Sequence, residues 1–289
     1  MNKPITGIIA AQRTAEGEGF IVNRPFPTKF LNFYDPFLLL DEMGPTIYEK
    51  GEAKGAPDHP HRGFETVTYM IEGEGEHEDS AGNRGIIEAG GVQWMTAGKG
   101  VIHSEMPSRK IQEEGGKVHG FQLWVNLPSI AKMIPPKYQE KKSSEIPIYE
   151  GEGLWVKIIA GELFGVKAEI HTHTPILYWH VRLSKNKKIE LPVPIDFNVF
   201  LYLIEGKGIF EANGQTLSGK QMIQFSNSKG ESIYLENPSG ENLDILVLGG
   251  KPLNEPVARY GPFVMNTQKE IEEAFSDYRN GNMGSIDRP

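Results

Sequence analysis

Two stretches of the chain carry the same strand–turn–strand signature, and this duplication restricts the possible folds more than any other feature. YMIEGEGEHE (Tyr69–Glu78) and YLIEGKGIFE (Tyr202–Glu211) share Tyr, Ile, Glu, Gly, Gly and Glu in register. Reading backwards without a gap sets Phe64 on Phe197. Reading forwards across a short gap sets Lys99–Gly100 on Lys229–Gly230. Two tandem copies of one β-unit account for the pattern. The surrounding runs agree: FLLLDE (Phe37–Glu42), ETVTYMI (Glu65–Ile71), GVQWMTA (Gly91–Ala97) and HGFQLWV (His119–Val125) have strand length and are rich in aromatic or β-branched residues. So are LWVKIIAG (Leu154–Gly161), ILYWHVRL (Ile176–Leu183), NVFLYLI (Asn198–Ile204) and LDILVLGG (Leu243–Gly250). With 33 Gly and 20 Pro in 289 residues, turn-forming residues make up about 18% of the chain, where about 12% is ordinary. That balance favours many short strands.

The proline-flanked, charged stretch Ile134–Pro147 (IPPKYQEKKSSEIP) reads as a linker. This divides the chain into a first β-domain over 1–133, a linker over 134–147 and a second domain over 148–289. One helix is predicted, over 267–280. Thr267 and Glu270 form a capping box, Ile271, Ala274, Phe275 and Tyr278 share a face, and Gly281 is placed to end it.

Composition narrows the chemistry. Thirty Lys and Arg against 38 Asp and Glu give a net charge of −8, which argues against a general grip on nucleic-acid phosphates or an anionic membrane. The apolar run Ile8–Ala11 is too short for a secretory segment, and no stretch approaches the roughly 18 apolar residues of a membrane span. A soluble cytoplasmic protein is expected. There is no cysteine, so disulfides, thiolate nucleophiles and Cys-type metal sites are excluded. Any metal must be held by His and carboxylates.

The first copy contains HPHRGFE (His59–Glu65) and GKGVIHSEMP (Gly98–Pro107). Side chains alternate along a strand, so His59 and His61 point the same way, as do His103 and Glu105. If the two strands face each other across a small barrel, three imidazoles and a carboxylate converge. That donor set suits one divalent first-row ion such as Fe(II), Mn, Ni, Cu or Zn and leaves coordination positions open. Under the repeat alignment, Pro192 and Pro194 replace His59 and His61, and Ile233 and Leu235 replace His103 and Glu105. The second copy is therefore expected to be metal-free. The other histidines read as structural. His119 falls on a face with Phe121, Leu123 and Val125 that is expected to point into the barrel, where it reads as a core histidine or a group behind the ligands. His77 is expected to face solvent, and His180 to be structural. His171 and His173 form a second H-x-H with nothing downstream to complete a site. The glycine-rich turns at Gly73–Gly75 and Gly98–Gly100 precede no helix carrying a Lys-Ser/Thr pair, so they are not phosphate loops.

HPHRGFETVTYMIEGEGEHEDSAGN, GGVQWMTAGKGVIHSEMP, HGFQLWVNLP and the closing GGKPLNEPVARYGPFVMNTQKEIEEAFSDYRNG resemble the pirin family of bicupins over nearly the whole chain. The resemblance implies an all-β fold of two jelly-roll-type cupin barrels with a short C-terminal helix. It also implies one metal, usually iron, in the first barrel on His59, His61, His103 and Glu105. Glu65 stands where many cupins place a ligand glutamate, and reads here as structural or as a group behind the ligands. Gly98 departs from the general cupin pattern, which has a proline five residues before the second-motif histidine. The activity implied is that of a quercetin 2,3-dioxygenase, which would take a small aromatic substrate and dioxygen with Glu105 as general base. Phe64, Met70, Trp94, Met95 and Trp124 are candidates for the substrate wall, with packing inside the barrel as the more ordinary role for such side chains. The alternative is a non-enzymatic iron-binding regulator acting on a transcription factor or metabolic enzyme. A monomer with no direct nucleic-acid contact is expected.

Overall fold

In a computed structural model, which describes residues 1–288, the chain is built almost entirely from antiparallel strands and separates into two compact units. The leading unit comprises Arg13–Arg24, Phe37–Glu145 and the chain from Asn254 onward. The trailing unit comprises Met1–Gln12, Pro25–Pro36 and Ile146–Leu253.

In the leading unit a seven-stranded sheet runs in the spatial order Lys137–Lys141, Val92–Thr96, Phe64–Glu72, Gly116–Asn126, Phe37–Tyr48, Phe20–Phe26 and Gln12–Glu16. A four-stranded sheet runs Ala56–His61, Val101–Pro107, Gly75–Asp79 and Arg84–Ile87. The Phe64–Glu72 strand is buried on both faces for most of its length, which is why it reads as a continuous apolar and Thr-rich run. The trailing unit repeats the plan, with its large sheet in the order Ile5–Ala10, Gln221–Phe225, Asn198–Glu205, Leu243–Gly250, Ile176–Leu183, Leu154–Ala160 and Ile148–Gly151. Each sequence-repeat partner takes the matching place in its own sheet. The two tandem cupin barrels and single C-terminal helix anticipated from the sequence are present.

The boundaries differ from those read in the sequence. The stretch 134–147 is not a free linker. Lys137–Lys141 is a strand paired with Val92–Thr96, and Ser143–Glu145 forms a short 3₁₀ turn. Its charges misled because it is a sheet edge, where one face and one ladder remain open to solvent. The first strand, Ile5–Ala10, pairs with Gln221–Phe225 in the trailing unit. The helix Gln268–Arg279 belongs to the leading unit, where Arg62 donates to Asp277 at 2.8 Å. Its start matches the reading: Thr267 is the N-cap, its hydroxyl accepts from the Glu270 amide, and the Glu270 carboxylate accepts from the Thr267 amide. Gly281 follows at φ +75.

Candidate metal centre

Two strands of the small sheet bring the histidines together. They are hydrogen-bonded neighbours and do not face each other across the barrel as the sequence spacing suggested. His59 pairs with His103 directly, and His61 pairs with Val101. Between His103 and Glu105 the register shifts, so that Glu105 lies opposite Ala56. The Ala56–His61 strand therefore carries an extra residue, a bulge of the kind that re-aims side chains beside functional sites.

The ring centroids of His59, His61 and His103 lie 4.3–4.8 Å apart. One nitrogen from each falls in a group spanning no more than 4.8 Å. Protonation of the ring nitrogens follows from the acceptors around them. His59 Nδ1 lies 2.7 Å from the Pro57 carbonyl and His61 Nδ1 lies 3.4 Å from that of Pro262. A carbonyl only accepts, so each Nδ1 donates and each neutral ring is left with a lone pair on Nε2. The two Nε2 atoms lie 3.1 Å apart. Neither can donate to the other, yet two nitrogens bound at right angles to one ion at about 2.1 Å would sit about 3 Å apart. His103 has neither ring nitrogen hydrogen-bonded and is fully buried. Burial, followed by the neighbouring imidazoles, pushes His61 and His103 well below the ordinary histidine range, keeping both neutral as ligands require. The residues present fit a divalent cation.

Glu105 stands outside this nitrogen group. Thr68 Oγ1 donates to its Oε1 at 2.7 Å, and Gln122 Nε2 donates to its Oε2 at 2.5 Å. These partners hold the carboxylate in place at the cavity, to which Thr68, Gln122 and Glu105 all contribute. The cavity encloses about 690 Å³ within the leading unit and reaches His59, His61 and His77. Met70 and Trp124 line it as anticipated, whereas Phe64, Trp94 and Met95 do not and pack in the core.

The remaining candidates separate clearly. The strand face that meets the cavity carries Val118, Gln122 and Trp124. His119, with Phe121, Leu123 and Val125, does not line it: period-two alternation holds along the strand, and it is the opposite face that meets the cavity. His119 is buried and bonded to Glu42 at 3.0 Å, a core histidine. His77 was expected in solvent but is 1% exposed. It lies opposite Glu105, with its ring 5.5 Å from that of His103, and neither of its nitrogens has a hydrogen-bond partner. Strand alternation from Asp79, another buried residue of the same strand, was the signal that could have found it. Glu65 is buried away from the cavity and accepts from Thr96 Oγ1 at 2.7 Å. Burial raises its carboxyl to about 7. His180 is buried and bonded to Asp244 at 2.5 Å. His171 and His173 are exposed and stand outside the histidine group. Gly98 adopts φ +50, and a Cβ there would meet the Ile134 carbonyl at 2.1 Å. Proline, fixed near φ −65, cannot occupy that turn, so the departure from the general cupin pattern has a local cause.

Comparison with known proteins follows the same lines. The Pirin family model matches residues 19–125, and the model for the Pirin C-terminal cupin domain matches residues 178–284. A pirin-like protein of Solanum lycopersicum is 44% identical over 96% of this chain and 91% of its own length. Pirin of Homo sapiens is 40% identical over 98% of this chain and 94% of its own. A crystal structure of a quercetin 2,3-dioxygenase from Acinetobacter baumannii superposes with a TM-score of 0.92 at 40% identity, covering 99% of this chain and all of that one.

Proposed function

The chain belongs to the pirin family, and from that premise we propose that it is a metal-dependent dioxygenase which opens the ring of a flavonol such as quercetin with dioxygen. The observation that carries the reading is the convergence of three imidazoles, two of which, His59 and His61, have Nε2 freed of its proton by a backbone carbonyl on Nδ1 and line a cavity large enough for a flat polycyclic substrate. His59, His61 and His103 would hold the ion, with Glu105 as the fourth donor. Iron(II) is the proposed occupant, although the donor set also accepts Mn, Ni, Cu or Zn. When bound, the ion supplies Lewis acidity and, for iron, a one-electron couple.

The chain's own residues supply the rest. Trp124 and Met70 give the cavity an apolar wall that takes a planar ring and excludes water from it. The flavonol 3-hydroxyl must lose a proton, and a Glu105 carboxylate oxygen accepts it. To do so Glu105 gives up the bond from Thr68 or from Gln122. Those two donors return the carboxylate to its place afterwards.

The test is oxygen uptake with quercetin by protein loaded in turn with each first-row divalent ion and then treated with chelator. The expected result is uptake that chelation abolishes. No uptake with any of the ions rules out the proposed activity.

A further inference from the structure

Two cations that line the cavity, the exposed Lys54 and the half-buried Arg259, have no ion pair among the described residues. Arg24 and Asp41 form a two-bond pair at 2.7 and 2.5 Å, and Arg24 also meets Glu16 at 2.7 Å. Arg259, which lines the same cavity, has no carboxylate within ion-pair distance among the described residues. Its one hydrogen bond runs from Nη1 to the Leu38 carbonyl at 3.1 Å, which leaves most of its five donors uncommitted. The guanidinium lies 4.9 Å from the centre of the Trp124 ring, and that ring meets His61 edge-on at 5.0 Å. The Trp124 indole N–H is buried with no hydrogen-bond partner. A half-buried guanidinium and an unused indole donor thus stand one ring-width from the candidate metal centre.

We propose that Arg259 is a specificity-determining residue that binds the carboxylate of a planar aromatic acid, seating its ring along Trp124 with the opposite edge toward the histidines. The planar fork of arginine matches a carboxylate with two parallel hydrogen bonds, and partial desolvation strengthens them. The apolar wall takes the ring face. Asp41 and Glu16 attract Arg259 electrostatically but form their close ion pairs with Arg24, not with it. This rests on the reading of the cavity as a substrate site, with quercetin as a surrogate for the acid.

Calorimetric titration of the metal-loaded protein with 6-hydroxy-2-naphthoate and with its methyl ester tests this without turnover. The wild type is expected to bind the acid about tenfold more tightly than the ester. Arg259→Gln should bring the two within about twofold, and Arg259→Lys, which keeps the charge but not the fork, should give an intermediate ratio. Equal binding of acid and ester by the wild type, or no binding of either, overturns the proposal. So does an acid preference that survives in Arg259→Gln, which would put the carboxylate at the histidines. Should Arg259→Gln fail to fold, the lysine variant decides: a wild-type ratio there contradicts the role of the fork. Quercetin turnover without an acid preference overturns this inference alone, and an acid preference without turnover overturns the dioxygenase reading alone.

Discussion

Glu65 keeps its proton near neutral pH because it is 1% exposed and holds a single hydrogen bond, from Thr96, on one oxygen. Its carboxyl titrates near 4.5 when unfolded and at about 7 when folded. Between those values the folded chain binds more protons than the unfolded one. Glu65 therefore adds stability below pH 4.5 that is lost as pH rises through 7, by about 3 kcal/mol. Glu65→Gln keeps the neutral shape and removes the titration. Denaturant unfolding of metal-free protein should show the variant gaining about 2.5 kcal/mol on wild type between pH 5 and pH 8. An unchanged difference would contradict the assignment. For His61→Ala the expectation is loss of at least nine-tenths of the bound metal with the β circular-dichroism signal retained, read by elemental analysis. At this scale His59, His61 and His103 were legible because strand parity fixes which side chains share a face. Gln122, Thr68 and Arg259 were not, since chain-distant contacts bring each of them to the site.

The repeated strands explain why one copy is expected to carry the metal. Where His59 meets His103 across the leading sheet, Leu191 meets Ile233 in the trailing one, and both are fully buried in an aliphatic core. The sequence alignment set Pro192 on His59, one residue from the observed pairing. Metal loading followed by native mass spectrometry should find one ion per chain in the wild type and none in His61→Ala. A second equivalent, or one retained in the variant, would show that the trailing barrel also binds. The helix obeys local rules that were readable without any tertiary context: Thr267→Ala removes the cap on Glu270 N and should cost about 1 kcal/mol, seen as a fall in melting temperature of a few degrees.

At the scale of the whole molecule, the two β-units were legible from the repeat, but their boundaries were not. A contact-poor linker and a solvent-facing edge strand have the same composition, and only pairing tells them apart. The leading barrel depends on residues after Asn254: Pro262 supplies the carbonyl that orients His61, and Val264 accepts from the buried Lys132. A fragment ending at Met133 lacks these and the Lys137–Lys141 strand. It is expected to give a poorly dispersed NMR spectrum and to bind no metal, whereas a dispersed, metal-binding fragment would contradict this division. The most direct test of the account as a whole is anomalous-difference density from crystals of the iron-loaded protein, measured at the iron edge. One peak about 2.1 Å from a ring nitrogen of each of His59, His61 and His103 is expected. Density elsewhere, or none at those three rings, would contradict it.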